Sequence, residues 1–318
     1  MAAPDNAANL AVFAKQAGHS GYPLLRLLAL VSCGTRSVID AVFGSDRGGE
    51  TTYAATLLAS MHPGMIVLAD RNFAAGALAA QIAATKAHLL VRVKTGRGGP
   101  KLPILARYRD GSYRSVFGGV GVRVIDAQIT IAAKAGRVTD VYRLVTTLLD
   151  RHHYPAFEIV TLYHQRWEIE TAYLELKSSI LGGRVLRART PTAVDQEVYA
   201  LLITYQILRT AMTDATNSQP DLDPDRASFT IALHAARDQV VQAAGVIAET
   251  VIDLVGNIGR LVLDNLLPDR RLRVNARTVK RATSKYNARG PNVDRATYQA
   301  TPHIDILTRP ASTTGPEP

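Results

Sequence analysis

The sequence has little cysteine, little tryptophan and no long apolar run. The single Cys33 excludes an intramolecular disulfide and a cysteine-rich zinc site, and it suits a reducing compartment. No basic segment followed by an apolar core lies in residues 1–18, so no signal peptide is expected. The longest apolar run near the start, residues 24–33, contains Arg26 and is too short to span a bilayer. A soluble, cytoplasmic protein is therefore expected. Acidic residues are the minority, 27 against 37 Lys and Arg, a net charge of +10 that favours polyanionic partners. Aromatics are only 6% of the chain, yet 47% of it is hydrophobic, which is enough for a buried core and excludes compositional disorder. With 318 residues there is room for one large domain or two ordinary ones.

The positive charge is uneven. Residues 86–143 hold 12 basic and 3 acidic side chains, and residues 270–289 hold 8 basic and no acidic ones. Charge gathered in this way suits phosphate contacts, with a plain solubilising surface as the alternative. Along the chain, residues 1–20 read as irregular or a short helix. Residues 24–31 and 37–43 read as strands, 50–61 as a helix, and 65–69 as a short buried strand with Asp70 at its carboxyl end. An Ala-rich helix over 73–86 and a β-branched strand over 88–94 follow. This succession predicts an α/β sheet with helices on its faces, in which functional groups collect at the carboxyl ends of strands, where Asp70 stands. Residues 95–149 are rich in Gly, Arg, Val and Thr, with turn signals at 96–99 and 110–111, and read as β-rich. Residues 155–181 and 193–211 read as helices, 213–225 as a polar linker, 228–266 as helical, and 270–318 as a basic tail with a disordered end.

The helix over 155–181 carries the densest chemistry. Tyr163, Arg166, Glu170 and Lys177 lie at offsets 0, 3, 7 and 14, which at ~100° per residue fall within an arc of roughly 60°. One face would then show a phenol, a guanidinium, a carboxylate and an ammonium in a row, able to hold a metal ion and grip phosphates beside it. The alternative is an exposed helix laced with salt bridges, which the i,i+4 spacing of Arg166 and Glu170 also suits.

Tyr-x2-Arg-x3-Glu-x6-Lys resembles the signature of the insertion-sequence-four family of Asp-Asp-Glu (DDE) transposases, and all four residues match in type and spacing. Residues 65–73 resemble that family's second catalytic strand, 145–155 its approach to the catalytic helix, and 197–209 the helix after it. The resemblance covers about residues 1–210 and fades beyond 213. It implies a ribonuclease-H-like mixed sheet flanked by helices, with a β-rich insertion before the catalytic helix. It implies three carboxylates holding two Mg2+ ions for in-line phosphoryl transfer on double-stranded DNA. Asp70 and Glu170 would be the second and third of these. Tyr163, Arg166, Lys177 and Arg71 would contact DNA, and the protein would work as a homodimer on paired transposon ends. The implied organisation is a first core part over 1–94, an insertion over 95–150, the rest of the core over 151–212, and a helical, basic region over 213–318.

The family's first Asp lies in an Asp-Gly-Thr stretch on its first strand, and this chain has no counterpart. Residues 4–9, Pro-Asp-Asn-Ala-Ala-Asn, resemble a segment that follows that strand, so an N-terminal truncation upstream of Met1 is expected. Asp5 and Asp40 are poor substitutes: one matches the later segment, the other a strand at the sheet edge. The chain as given is then expected to be inactive or nearly so, and to fold poorly around an absent central strand. Its alternatives are a catalytically dead DNA-binding remnant and a ribonuclease-H-like nuclease outside transposition. Arg71 could equally support the site as an ion pair, Trp167 reads as core, and His88, His152, His153 and His164 read as structural or surface residues. Residues 96–99 lack the ending of a phosphate loop, and the basic stretch 270–289 is a candidate DNA-backbone contact.

Overall fold

The computed structural model describes residues 1–13, 21–133, 136–244, 253–268, 273–274 and 298–308. A short helix α1 (Ala7–Phe13) precedes strands β1 (Leu25–Val31) and β2 (Val38–Ser45), which pair antiparallel with each other as a separate two-stranded sheet. Helix α2 (Glu50–Thr56) leads to β3 (Ile66–Ala69), α3 (Gly76–Ala84) and β4 (His88–Val93). The next strands are β5 (Ala106–Arg107), β6 (Tyr113–Phe117), β7 (Val120–Ala133) and β8 (Gly136–Thr146). The helical part follows: α4 (Ala156–His164), α5 (Glu168–Leu174), α6 (Pro191–Asn217), α7 (Phe229–Ala244) and α8 (Leu254–Asp264). Strands β9 (Arg273–Val274) and β10 (Tyr298–Ile306) close the series.

Eight strands form one mixed sheet in the order β3-β4-β8-β7-β10-β9, with β6 on β7 and β5 on β6. Strand β3 runs parallel to β4, and the other pairs are antiparallel. The side-chain period of two explains the layers. On β4, Leu89, Val91 and Val93 join Leu78, Ala79 and Ile82 of α3 in one core, while Leu90 joins Ile159, Val160 and Tyr163 of α4 in another. The sheet is thus buried on both faces, as the α/β pattern predicts. A third core packs β1 against α5 to α8 through Leu25, Ala172, Val198, Tyr205, Leu233 and Ile258.

The β6–β7 connection is a two-residue turn. Phe117 pairs with Val120, and Gly118 and Gly119 between them have φ of 60° and 81°, conformations that glycine adopts without a Cβ clash. At the base of this hairpin, buried Arg123 donates to Ser112 Oγ at 2.8 Å, to Asp110, and to the Tyr154 carbonyl at 2.5 Å. That last bond ties the hairpin to the residues that launch α4.

One expectation is corrected. The stretch 213–225 is not wholly linker, because α6 continues to Asn217, with Ala211, Met212 and Thr216 still buried on its inner side. Part of the basic tail is ordered as strand. Strand β10 pairs along the outer half of β7, and its alternate Ile304 and Ile306 pack on the core beneath α4, which is what draws this segment into the sheet. Apart from Arg273–Val274, the basic stretch 270–289 lies outside the described residues, as does the end of the tail, 309–318. No helix among the described residues is long and apolar enough to cross a membrane.

Candidate active site

Between the two sheets lies a slot. Strand β1 pairs with β2 on one edge, and β3 pairs with β4 on one edge. Their other edges line a cavity of about 530 Å³, which takes in Arg26 to Ser32 on one wall and Met65 to Asp70 on the other. The first residues of the chain approach this slot along β1. The Met1 ammonium donates to the Leu25 carbonyl at 2.6 Å, the Leu25 amide donates to Met1 O at 2.8 Å, and the Ala3 amide donates to Pro23 O at 3.0 Å. That is an antiparallel bridge on the slot edge of β1. Tyr173 of α5 caps the same edge farther along, its hydroxyl donating to the Leu27 carbonyl at 2.9 Å. Burial, with a smaller contribution from Lys177, pulls the Met1 ammonium down from its ordinary 8.0 to about 6.

Asp70 and Glu170 both line this cavity. Asp70 sits one residue past the end of β3 and caps the short 3-10 turn Arg71–Phe73, its Oδ1 accepting from the Arg71 amide at 2.7 Å. The turn exists because the buried strand ends at Ala69 and the chain must reverse toward α3. Arg71 is exposed. Glu170 stands in the first turn of α5, its side chain 53% exposed.

The helix that bears Glu170 is a relay of four helical segments. A 3-10 turn, Gln165–Trp167, separates α4 from α5, and a widened π turn, Glu175–Ile180, follows. Overwound and underwound turns shift the angular position of each later side chain, so the expected single row becomes a gradient from core to solvent. Tyr163 is 3% exposed, and its hydroxyl donates to the carbonyl of Ala69 at 3.2 Å, which links α4 to the residue before Asp70. Burial raises the Tyr163 pKa to about 12. Arg166 lines the cavity, with Nη1 3.9 Å from Glu170 Oε1, and its buried Nε has no hydrogen-bond partner. His164 Nε2 is likewise buried without one, and burial together with Arg166 lowers the His164 pKa. Lys177 lies beyond, its ammonium 5.0 Å from the Tyr173 ring. The residue presents surface, yet the cover around its ammonium lowers its pKa. Trp167 corrects the expectation of a core residue. It is 38% exposed with the Arg166 guanidinium 5.0 Å over its ring, because it ends the overwound turn and not a regular helical one.

The donor set fits a hard divalent cation in type: Glu50, Asp70, Glu168 and Glu170 all line the cavity beside Arg166, and of these Glu168 is already held by Arg36. Among the described residues, no group of three or more His, Cys, Asp or Glu side chains is arranged to hold a metal. Asp40 is turned to other work, accepting from Ser60 Oγ at 2.6 Å and from the Ala41 amide at 2.7 Å. What motif reading missed is the ionic network behind the helix. Arg36, Glu168 and Glu175 are buried, and no local pattern marks them as partners across more than 130 positions.

Residues 8–207 match the family profile described as a transposase DDE domain, a span that includes Asp70 and Glu170. The chain is 27% identical over 301 residues to transposase InsG for insertion sequence element IS4 of Escherichia coli (strain K12). The match covers 89% of this chain and 66% of that relative, so the chain spans about two thirds of the relative's length.

Proposed function

Because the chain belongs to the transposase DDE-domain family, we propose that it acts in DNA transposition, binding the double-stranded ends of a mobile element for cleavage and strand transfer. The observation that carries this reading is the shared cavity rim of Asp70 and Glu170, with Arg166 beside them. In this reading Asp70 and Glu170 hold Mg2+, which when bound supplies the Lewis acidity for attack by water or a 3′-hydroxyl and for departure of the leaving oxygen. The remaining work belongs to the chain. The Arg166 guanidinium, whose Nη1 lies 3.9 Å from Glu170 Oε1 at the cavity, grips a phosphate next to the metals. Lys177 and exposed Arg71 hold the DNA backbone on either side. Tyr163, whose hydroxyl bonds Ala69 O, contributes by keeping the strand tip and the helix in step. The neutral state favoured for buried His164 leaves the positive field to Arg166 and Lys177. The protein works in this account as a homodimer on paired ends in the cytoplasm.

Two carboxylates neutralise a metal pair poorly. We propose that the third arrives on an extended strand lying in the slot between β1 and β3. The support is physical: two strand edges face a common cavity, and the peptide at Met1 already hydrogen-bonds along β1 at its mouth. The 318-residue chain alone is then a DNA-binding protein with little or no cutting activity. The experiment compares this chain with one extended at Met1 by an Asp-bearing strand, on DNA carrying the inverted repeats that flank the gene. Both are expected to bind those ends, and only the extended chain to nick them with Mg2+. Asp70→Asn and Glu170→Gln in the extended chain should each reduce nicking by ~10³-fold or more. Nicking by the unextended chain removes the need for a third carboxylate. Failure of both proteins to bind the ends rejects the transposition reading.

A further inference from the structure

We propose that Arg36 is a positioning residue for Glu170, fixing the roll of the helix that carries it; this rests on the reading of Glu170 as a metal-binding carboxylate. Arg36 lies in the turn between β1 and β2 and is 4% exposed. Its φ is +56°, a left-handed conformation that is unfavourable for a residue with a Cβ. Its backbone is pinned on both sides: the amide donates to Ser32 O at 2.9 Å, and the carbonyl accepts from the Tyr205 hydroxyl at 3.0 Å.

The guanidinium reaches two acids of the Glu170 helix. Its Nε donates to Glu168, its Nη1 lies 3.6 Å from Glu175 Oε1, and its Nη2 donates to Asp225. Arg209 of α6 holds Glu175 from the other side and donates through Nε to the Tyr205 hydroxyl at 3.2 Å. Glu168 and Glu175 are seven residues apart, so at ~100° per residue they lie within about 20° of each other on one helix face. Glu170 lies about 160° from Glu168, on the opposite face. A rigid fork gripping two turns of one face fixes the roll of the helix, and with it the direction in which Glu170 meets the cavity that Asp70 and Glu168 also line.

Burying two guanidiniums among three carboxylates is a costly way to join elements, and apolar packing would hold them at least as firmly. The fork supplies direction, which apolar contacts do not. The network sits immediately beside the 3-10 turn Gln165–Trp167 and the π turn Glu175–Ile180, where a helix that changes its winding twice needs an external reference for its roll.

The test substitutes Arg36→Lys, which keeps the charge but offers a point donor in place of the fork. Two readouts go beyond folding: Mn2+ affinity, with Glu170→Gln as the control that identifies the site, and acrylamide quenching of Trp167, the one tryptophan of the chain and a neighbour of Glu168. The expected result is melting close to the parent, Mn2+ binding about tenfold weaker, and altered Trp167 quenching. If Arg36→Lys does not fold, Arg36→Met combined with Glu168→Gln, which removes one guanidinium and one carboxylate and leaves Arg209 paired with Glu175, is read in the same way. Parental quenching and parental Mn2+ affinity in a folded variant overturn the proposal. Mn2+ binding that Glu170→Gln leaves unchanged counts against the metal reading instead, and Trp167 quenching then decides the role of Arg36.

Discussion

At the scale of single residues, the least ordinary group is the Met1 amine. It is held against the Leu25 carbonyl inside the mouth of the slot, where burial favours its neutral form. The sign follows from linkage. A cationic group whose folded pKa lies at about 6, below its ordinary 8.0, is protonated in the unfolded chain but not in the folded one between those values. Stability therefore rises with pH from about 6 to 8 and falls as pH drops through the same window. The ceiling is about 2–3 kcal/mol, and residual hydration of the amine lowers it. Chain purified with Met1 retained should show this slope in urea melts. A short Gly-Ser extension turns the amine into an amide and should flatten it. Equal slopes in the two proteins would mean that the amine is not buried as described.

At the scale of elements, the β6–β7 hairpin tip depends on glycine for a reason the turn alone does not give. A Cβ on Gly118 would lie 2.0 Å from the carbonyl oxygen of Gly76, at the start of α3, so the tip is pressed onto that helix. Gly118→Ala should destabilise the protein by ~2–4 kcal/mol, through the positive φ and the clash together. Gly119 has a positive φ but open space around it, so Gly119→Ala should cost about 1 kcal/mol. Thermal melts of the pair test this, and equal losses would contradict the close approach to Gly76.

The elements also mark what the sequence made readable. The strand ending at Asp70 and the helix bearing Glu170 were legible because local rules govern them: a short apolar run, and polar residues at helical offsets. The gradient from buried Tyr163 to exposed Glu170 was not, since a 3-10 turn that no spacing signals lies between them. The Arg36 network joins residues 132 to 189 positions apart and leaves no local trace. Strand β10 was read as tail because its pairing partner, β7, lies far upstream in the chain.

At the scale of the whole molecule, two sheets stand on either side of one cavity, and the functional groups gather where that cavity opens. The α3 side and the α4 side bury the larger sheet, while α5 to α8 hold the smaller one. Function in this arrangement depends on Asp70 and Glu170 sharing a divalent cation. Crystals of the chain soaked in millimolar Mn2+ test it most directly, through an anomalous difference map. The expected result is a peak with carboxylate oxygens of both Asp70 and Glu170 within roughly 2.0–2.6 Å. A peak bound by neither, or carboxyl groups held too far apart to reach one ion, would contradict it.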